Sequence, residues 1–76
     1  MDNVRRGNRV DTPDGAGTVT DGPSLGSWLV KLDAGSYLET SHGLWMPGTD
    51  LTVTGFDPGA MVWCGSHMKA AGTLYR

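Results

Sequence analysis

Cys64, His67 and His42 are the side chains whose types could support metal binding or nucleophilic catalysis. Cys64 and His67 stand in C-x-x-H spacing, and His42 is the only other histidine in the sequence. A structural zinc site takes four ligands, usually from two pairs, so these three would need a carboxylate or a second chain to complete it. A catalytic thiol needs an oriented base in a cleft, which so small a chain seldom encloses. We therefore expect no catalytic residue, no metal and no cofactor.

Two further patterns have structural explanations. Gly15 and Gly17 stand close together, but no helix start and no Lys-Ser or Lys-Thr pair follows them, so they do not form a phosphate-binding loop. Asp11 and Asp14 flank a Pro-Asp-Gly sequence, where aspartate typically hydrogen-bonds to the backbone of a turn. We expect this protein not to be an enzyme.

Charge is unevenly distributed along the chain, whose formal net charge is −2. Arg5, Arg6 and Arg9 lie near the start, whereas residues 11–60 carry seven acidic side chains and a single basic one. Nucleic-acid binders usually present a basic face, because phosphate contacts dominate their affinity. The acidic surface serves either solubility or a basic partner. The arginines either contact nucleic acid or an acidic partner, or merely solvate the terminus.

The spacing of glycine and proline favours short strands over helices. The 12 glycines and four prolines are spread along all 76 residues and leave no room for helices of ordinary length. Strands are expected at 8–12 and 16–20, joined by a Pro-Asp-Gly turn, and an open loop at 21–26. The clearest strand is 27–33, in which Trp28, Val30 and Leu32 share the core-facing side.

In the second half of the chain, the sequence pattern predicts shorter strands and single helical turns. A strand at 37–40 should return antiparallel, followed by a break at 41–43, and Pro47 should end a strand or lie on an edge. We expect a helical turn at 48–50, strands at 51–54 and 60–64, and a second helical turn at 67–71. Val10, Val19, Val30 and Val53 should face one shared interior.

Residues 7–19 read GNRVDTPDGAGTV and are similar to the opening of KOW-type domains. The later VKLD at 30–33 resembles the third strand of that family, and the resemblance covers roughly residues 5–54. It implies an all-β fold: a small five- to six-stranded SH3-like barrel with an irregular C-terminal extension. The expected divisions are a basic arm at 1–7, the barrel at 8–55, and an extension at 56–76 containing an extra strand or a helical turn. The family binds RNA, ribosomal surfaces, polymerase or other proteins, and the resemblance does not imply catalysis.

The remaining aromatic residues exceed what so small an interior can hold. Exposed Trp and Tyr beside Met are typical of protein interfaces. The alternative is that Trp45 and Trp63 close the barrel ends. The predicted partner interface comprises Trp45, Trp63, Met46, Tyr37, Asp14 and Asp21. Met61, two residues before Trp63, is a further methionine of the kind found beside interface aromatics.

The leading functional hypothesis is a protein-interaction module that docks on a larger host complex, as a phage-type accessory or inhibitor protein would, with a partner that has a basic surface. The alternative is a KOW-like RNA-, ribosome- or polymerase-associated domain that uses Arg5, Arg6 and Arg9. No stretch has the apolar length of a signal peptide or membrane span, which predicts a cytoplasmic protein with no membrane partner. A homodimer formed through an edge near Pro47 or through residues 60–64 is left open.

Overall fold

The computed structural model describes residues 4–34 and 43–74. In this part of the chain the elements are β1 (Asn8–Thr12), β2 (Gly15–Ser24), β3 (Ser27–Leu32), β4 (Leu44–Pro47), a 3₁₀ turn (Gly48–Asp50), β5 (Thr52–Phe56), β6 (Met61–Cys64), β7 (His67–Ala70) and α1 (Ala71–Leu74). Five strands form an antiparallel sheet in the order β4-β3-β2-β1-β5, and β6 pairs with β7 in a second sheet. The prediction of an all-β fold is confirmed.

The hairpin of β1 and β2 forms because its turn residues suit a tight connection. Thr12 pairs with Gly15 across Pro13 and Asp14. The Thr12 hydroxyl donates to the Gly15 carbonyl at 2.8 Å and accepts from the Asp14 N–H at 3.0 Å. Proline fixes φ in the turn, and Gly15 adopts a φ of 120° that other residues avoid. The predicted turn is therefore present.

The prediction of an open loop at 21–26 is wrong. β2 continues to Ser24, which pairs with Ser27 across a two-residue turn. Gly22 and Pro23 suggested a loop, but the strand accommodates them where its pairing with β3 shifts register on both sides of Asp21. Leu25 and Gly26, with φ of 51° and 79°, form the turn. Positive φ at both central residues is the geometry of a type I′ hairpin turn.

Leu25→Asn is expected to stabilise the protein. Leu25 is fully exposed and holds a left-handed conformation that asparagine adopts more easily. The free energy of unfolding should rise by about 1 kcal/mol, seen as a higher urea midpoint with an unchanged slope. Leu25→Ala removes the same side chain without relieving the backbone, so it should gain little. Equal stabilisation by both variants would show that the backbone conformation is not the cause.

The main core cluster lies on one face of the five-stranded sheet, while Leu29, 4% exposed, is buried on the opposite face of β3. Val30 and Leu32 are buried in the main cluster as the alternation predicted, and Trp28 packs against the cluster while partly exposed. The buried cluster consists of Val4, Val10, Val19, Val30, Leu32, Met46 and Leu51. The prediction for Val53 is wrong: it pairs with buried Val10 but is 40% exposed. The physical reason is its place on β5, the last strand of the sheet, whose residues are all exposed.

The C-terminal part forms a hairpin and not the expected strand followed directly by a helical turn. The predicted strand at 60–64 is present as β6, whereas His67–Ala70 is strand β7 and the helical turn begins only at Ala71. Gly65 has a φ of 67° and, with Ser66, closes a two-residue turn that brings β7 alongside β6. The predicted strand at 37–40 and the residues 41 and 42 lie outside the described residues. In the described part, β4 is the strand that returns along β3.

The segment before β1 joins the sheet to the C-terminal part. Val4 is buried in the core, and the Gly7 N–H donates to the Val19 carbonyl at 2.7 Å. The Gly7 carbonyl accepts from the Asp57 N–H at 2.8 Å. Ala71 at the start of α1 is fully buried, and its N–H donates to the Ala60 carbonyl at 2.8 Å. The segment before β1 and the start of α1 are therefore both anchored to the rest of the fold by backbone hydrogen bonds.

Candidate protein-interaction surface

The two faces of the β6–β7 hairpin differ: one carries the buried Val62 opposite the exposed Lys69, and the other carries two exposed methionines. Met61 pairs with Ala70 and Trp63 with Met68, so these four residues share a face, whereas Val62 points to the other. Val62 is completely buried, and β6 lies against β2. Met61 is 51% exposed and Met68 40% exposed. We call the outward surface of Met61, Trp63, Met68 and Ala70 the hairpin face.

Contacts from the N-terminal segment hold the hairpin in this orientation. Arg6 Nη1 donates to the Trp63 carbonyl at 2.7 Å. At the other end of the hairpin, Ala71 is packed beside Gly7, and the Gly72 N–H donates to the Pro58 carbonyl at 2.9 Å. A two-stranded hairpin is marginally stable alone in water, so these contacts and the burial of Val62 are what keep it formed. The hairpin face is thereby turned toward solvent.

The three N-terminal arginines all take part in contacts within the chain. The Arg5 guanidinium lies 5.2 Å from the centre of the Phe56 ring, and Arg6 holds the Trp63 carbonyl. Arg9 Nη1 donates to the Thr18 hydroxyl at 2.6 Å and to Asp33 Oδ1 at 2.7 Å. A second bond joins Arg9 Nη2 to Asp33 Oδ2, making the pair bidentate.

The Arg9–Asp33 pair favours the charged form of both groups. The hydrogen bond from Arg9 lowers the pKa of the Asp33 carboxyl, and the same bond raises the pKa of Arg9. Asp33 is exposed, so screening by water keeps the contribution of the pair to stability small. The pair positions the Arg9 side chain across β2 and the end of β3.

The predicted interface residues lie in different parts of the fold. Trp45 is 48% exposed on β4, opposite Leu29, and Trp63 is half-buried on the hairpin. Asp14 is exposed in the β1–β2 turn, whereas Asp21 is half-buried in β2 and its Oδ1 accepts from the Gly22 N–H at 2.8 Å. Tyr37 lies outside the described residues.

The assignment of Met46 to the interface is wrong. Met46 is only 5% exposed, because it pairs with Trp28 and faces the core, while its neighbour Trp45 faces outward. Adjacent residues on a strand point to opposite faces, so Trp45 and Met46 could not both have been surface anchors on one face.

The sequence prediction missed Met68 and Leu25 as exposed apolar side chains. Met68 is brought beside Trp63 by the β6–β7 pairing, and Leu25 stands at the tip of the β2–β3 hairpin. A signal for Met68 was present: two residues of the Gly-Ser type between short apolar segments are typical of a hairpin turn. No comparable signal marked Leu25.

Cys64 and His67 face each other across the hairpin turn as a cross-strand pair. Cys64 is half-buried and His67 is exposed. Within residues 4–34 and 43–74, no three His, Cys, Asp or Glu side chains stand together in a group that could hold a metal ion. His42 lies outside that part of the chain.

No family model, curated protein or solved structure matches this chain. Its function is therefore inferred from the residues and contacts described above. Among the described residues, no helix has the length and apolar character needed to cross a membrane.

Proposed function

We propose that this chain is a small non-enzymatic protein-interaction module and that the hairpin face is its docking surface. The observation that carries the proposal is the pair of exposed methionines, Met61 and Met68, on the outward side of a hairpin whose inward residue, Val62, is completely buried. Methionine and aromatic side chains are enriched in protein interfaces, and a few such anchors supply most of the binding energy.

The architecture we propose is an SH3-like barrel of the KOW-like kind, extended by the C-terminal hairpin. Two features support it: the strand order β4-β3-β2-β1-β5, and the 3₁₀ turn that leads from β4 into β5. In such a barrel the sheet curls around the core cluster of Val10, Val19 and Val30. The hairpin then adds an outward surface that the barrel alone does not provide.

The charge of the surface favours a protein partner with a basic surface. Exposed carboxylates occur in the β1–β2 turn and on both sides of β5, at Asp14, Asp50 and Asp57. A field of this sign attracts basic surfaces and repels phosphate. We further propose that the module acts as an accessory or inhibitor protein docked on a larger complex.

The KOW-like RNA-binding alternative is less well supported by the contacts of the arginines. Arg6 holds the Trp63 carbonyl, and Arg9 holds Thr18 and Asp33. Asp33 offsets the charge of Arg9, and Arg6 already uses one of its five N–H donors on a backbone carbonyl, so both are less suited to phosphate than unengaged arginines. This favours a protein partner over RNA.

The test is affinity purification with quantitative mass spectrometry, comparing the wild type with the double variant Met61→Lys, Met68→Lys. Loss of two apolar anchors should reduce recovery of the specific partner by at least about tenfold. Both methionines are exposed, so the variant should remain folded, which denaturation will check.

The matched control is Ser24→Lys with Leu25→Lys, at the tip of the β2–β3 hairpin. It adds the same charge at two exposed positions away from the hairpin face and should leave recovery unchanged. Equal recovery of the partner by the methionine variant, or recovery of nothing but nucleic acid by the wild type, would refute the proposal.

A further inference from the structure

The outer edge of β5 is an exposed edge of the five-stranded sheet in the described part of the fold. β5 is the last strand of the sheet and pairs on one side with β1, from Asn8 to Asp11. No other described strand pairs with residues 52–55, and every residue of β5 is exposed. An edge of this kind presents N–H and C=O groups that can pair with another strand.

This edge lacks most of the features that prevent strand addition. Proteins usually protect an edge with charged side chains or proline, and Pro47 lies on the opposite edge strand, β4. Residues 52–55 read TVTG, with neither a charge nor a proline. The one irregularity is Thr54, an extra residue where the pairing with β1 shifts between Arg9 and Val10.

Carboxylates lie on both sides of the neutral edge. Asp50 precedes β5 and Asp57 follows it, and Asp11 is the register partner of Thr52 on β1. All three are exposed. An added strand with Lys or Arg at both ends would therefore place positive charges near Asp50 and Asp57.

The same charges act against pairing with a second copy of this chain. In an antiparallel pair of β5 strands centred between Val53 and Thr54, Asp57 of each copy would lie directly opposite Asp50 of the other. Two such like-charge approaches would oppose the dimer. β5 itself carries no basic residue, and Arg9, the register partner of Gly55, is already paired with Asp33.

We propose that the outer edge of β5 binds an extended peptide segment of a partner protein by strand addition, and that this segment is β-branched in its middle and carries Lys or Arg at both ends. Main-chain hydrogen bonds supply the affinity, and the bracketing aspartates supply the selectivity. The inference rests on the proposed function, since it names the chemistry of a partner, but it uses a surface separate from the hairpin face.

The test uses a capped synthetic peptide, Lys-Lys-Thr-Val-Thr-Val-Thr-Lys-Lys, and a twin with glutamates in place of the lysines, titrated into the ¹⁵N-labelled full chain. The lysine peptide should shift the amide resonances of Thr52–Gly55 and slow their hydrogen exchange. The glutamate twin should bind about fivefold more weakly, and the difference should shrink at high salt.

Charge-neutral variants separate selectivity from strand addition. Asp50→Asn with Asp57→Asn should bring the two peptides to nearly equal affinity, because the bracketing charge is gone. Asp57 Oδ1 accepts from the Gly59 N–H at 3.0 Å, and an asparagine at this position keeps a side-chain oxygen for that bond, so the turn after β5 should persist. The matched control, Asp14→Asn in the distant β1–β2 turn, should keep the full preference.

Four outcomes would overturn the inference. They are no change at β5, equal binding of both peptides by the wild type, β5 shifts that depend on protein concentration without peptide, and β5 shifts produced by an RNA oligonucleotide alone. None of these bears on the hairpin face, whose test is the recovery of the partner by the Met61 and Met68 variant.

Discussion

Gly7→Ala is expected to lower the free energy of unfolding by about 3 kcal/mol. Two causes combine. Gly7 has a φ of 96°, in a region that side chains with a Cβ rarely adopt. A Cβ there would also overlap with Ala71 Cβ and lie 2.7 Å from Phe56 Cε1. Since Ala71 is completely buried, the added methyl group would push the C-terminal segment away from the sheet.

Gly55→Ala provides the control for Gly7→Ala. No atom lies within 4 Å of a Cβ built at Gly55, and its φ is not in the left-handed region. Stability should change by less than about 0.5 kcal/mol. Both variants are measured by urea denaturation. Similar stabilities would show that the packing of the N-terminal segment against Ala71 is not as described.

Met46→Ala should destabilise the protein by about 3 kcal/mol, because it opens a cavity in the core cluster. Trp45→Ala, at the adjacent position, should cost only about 1 kcal/mol, since about half of that larger side chain is already exposed. Chemical denaturation of the two variants under one set of conditions gives the comparison. A larger loss for Trp45→Ala would reverse the assignment of inner and outer faces on β4.

The sequence predicted those parts of the fold that depend on local patterns. The alternation in 27–33 placed Val30 and Leu32 inside, and the Pro-Asp-Gly sequence predicted the first turn. The prediction that Val53 is buried failed. Alternation indicates which face of a strand a residue occupies, but not whether that strand lies at the edge of the sheet. Gly22 and Pro23 predicted a loop, and this prediction failed. The strand continues through them because its pairing with β3 shifts register, and such a shift cannot be identified from one segment alone.

The candidate surface was predicted only in part, since it depends on pairing between segments. Trp63 and Met61 were identified by their types, but Met68 joins them only when β7 pairs with β6. Met46 was assigned to the surface from a count of large side chains, which does not say which of two adjacent residues is buried. The contacts of Arg6 with Trp63 join positions 57 residues apart, and no local pattern indicates them.

The packing of Gly7 beside Ala71 has a consequence for synthesis of the protein in the cell. The segment that leads into β1 leaves the ribosome well before Ala71, the residue that covers it, has been made. Contacts between positions so distant in the sequence slow folding, because the intervening chain must be closed into a loop before they form. A nascent chain that has not yet reached Ala71 would keep Gly7 uncovered, so folding of this region is completed only after translation of α1.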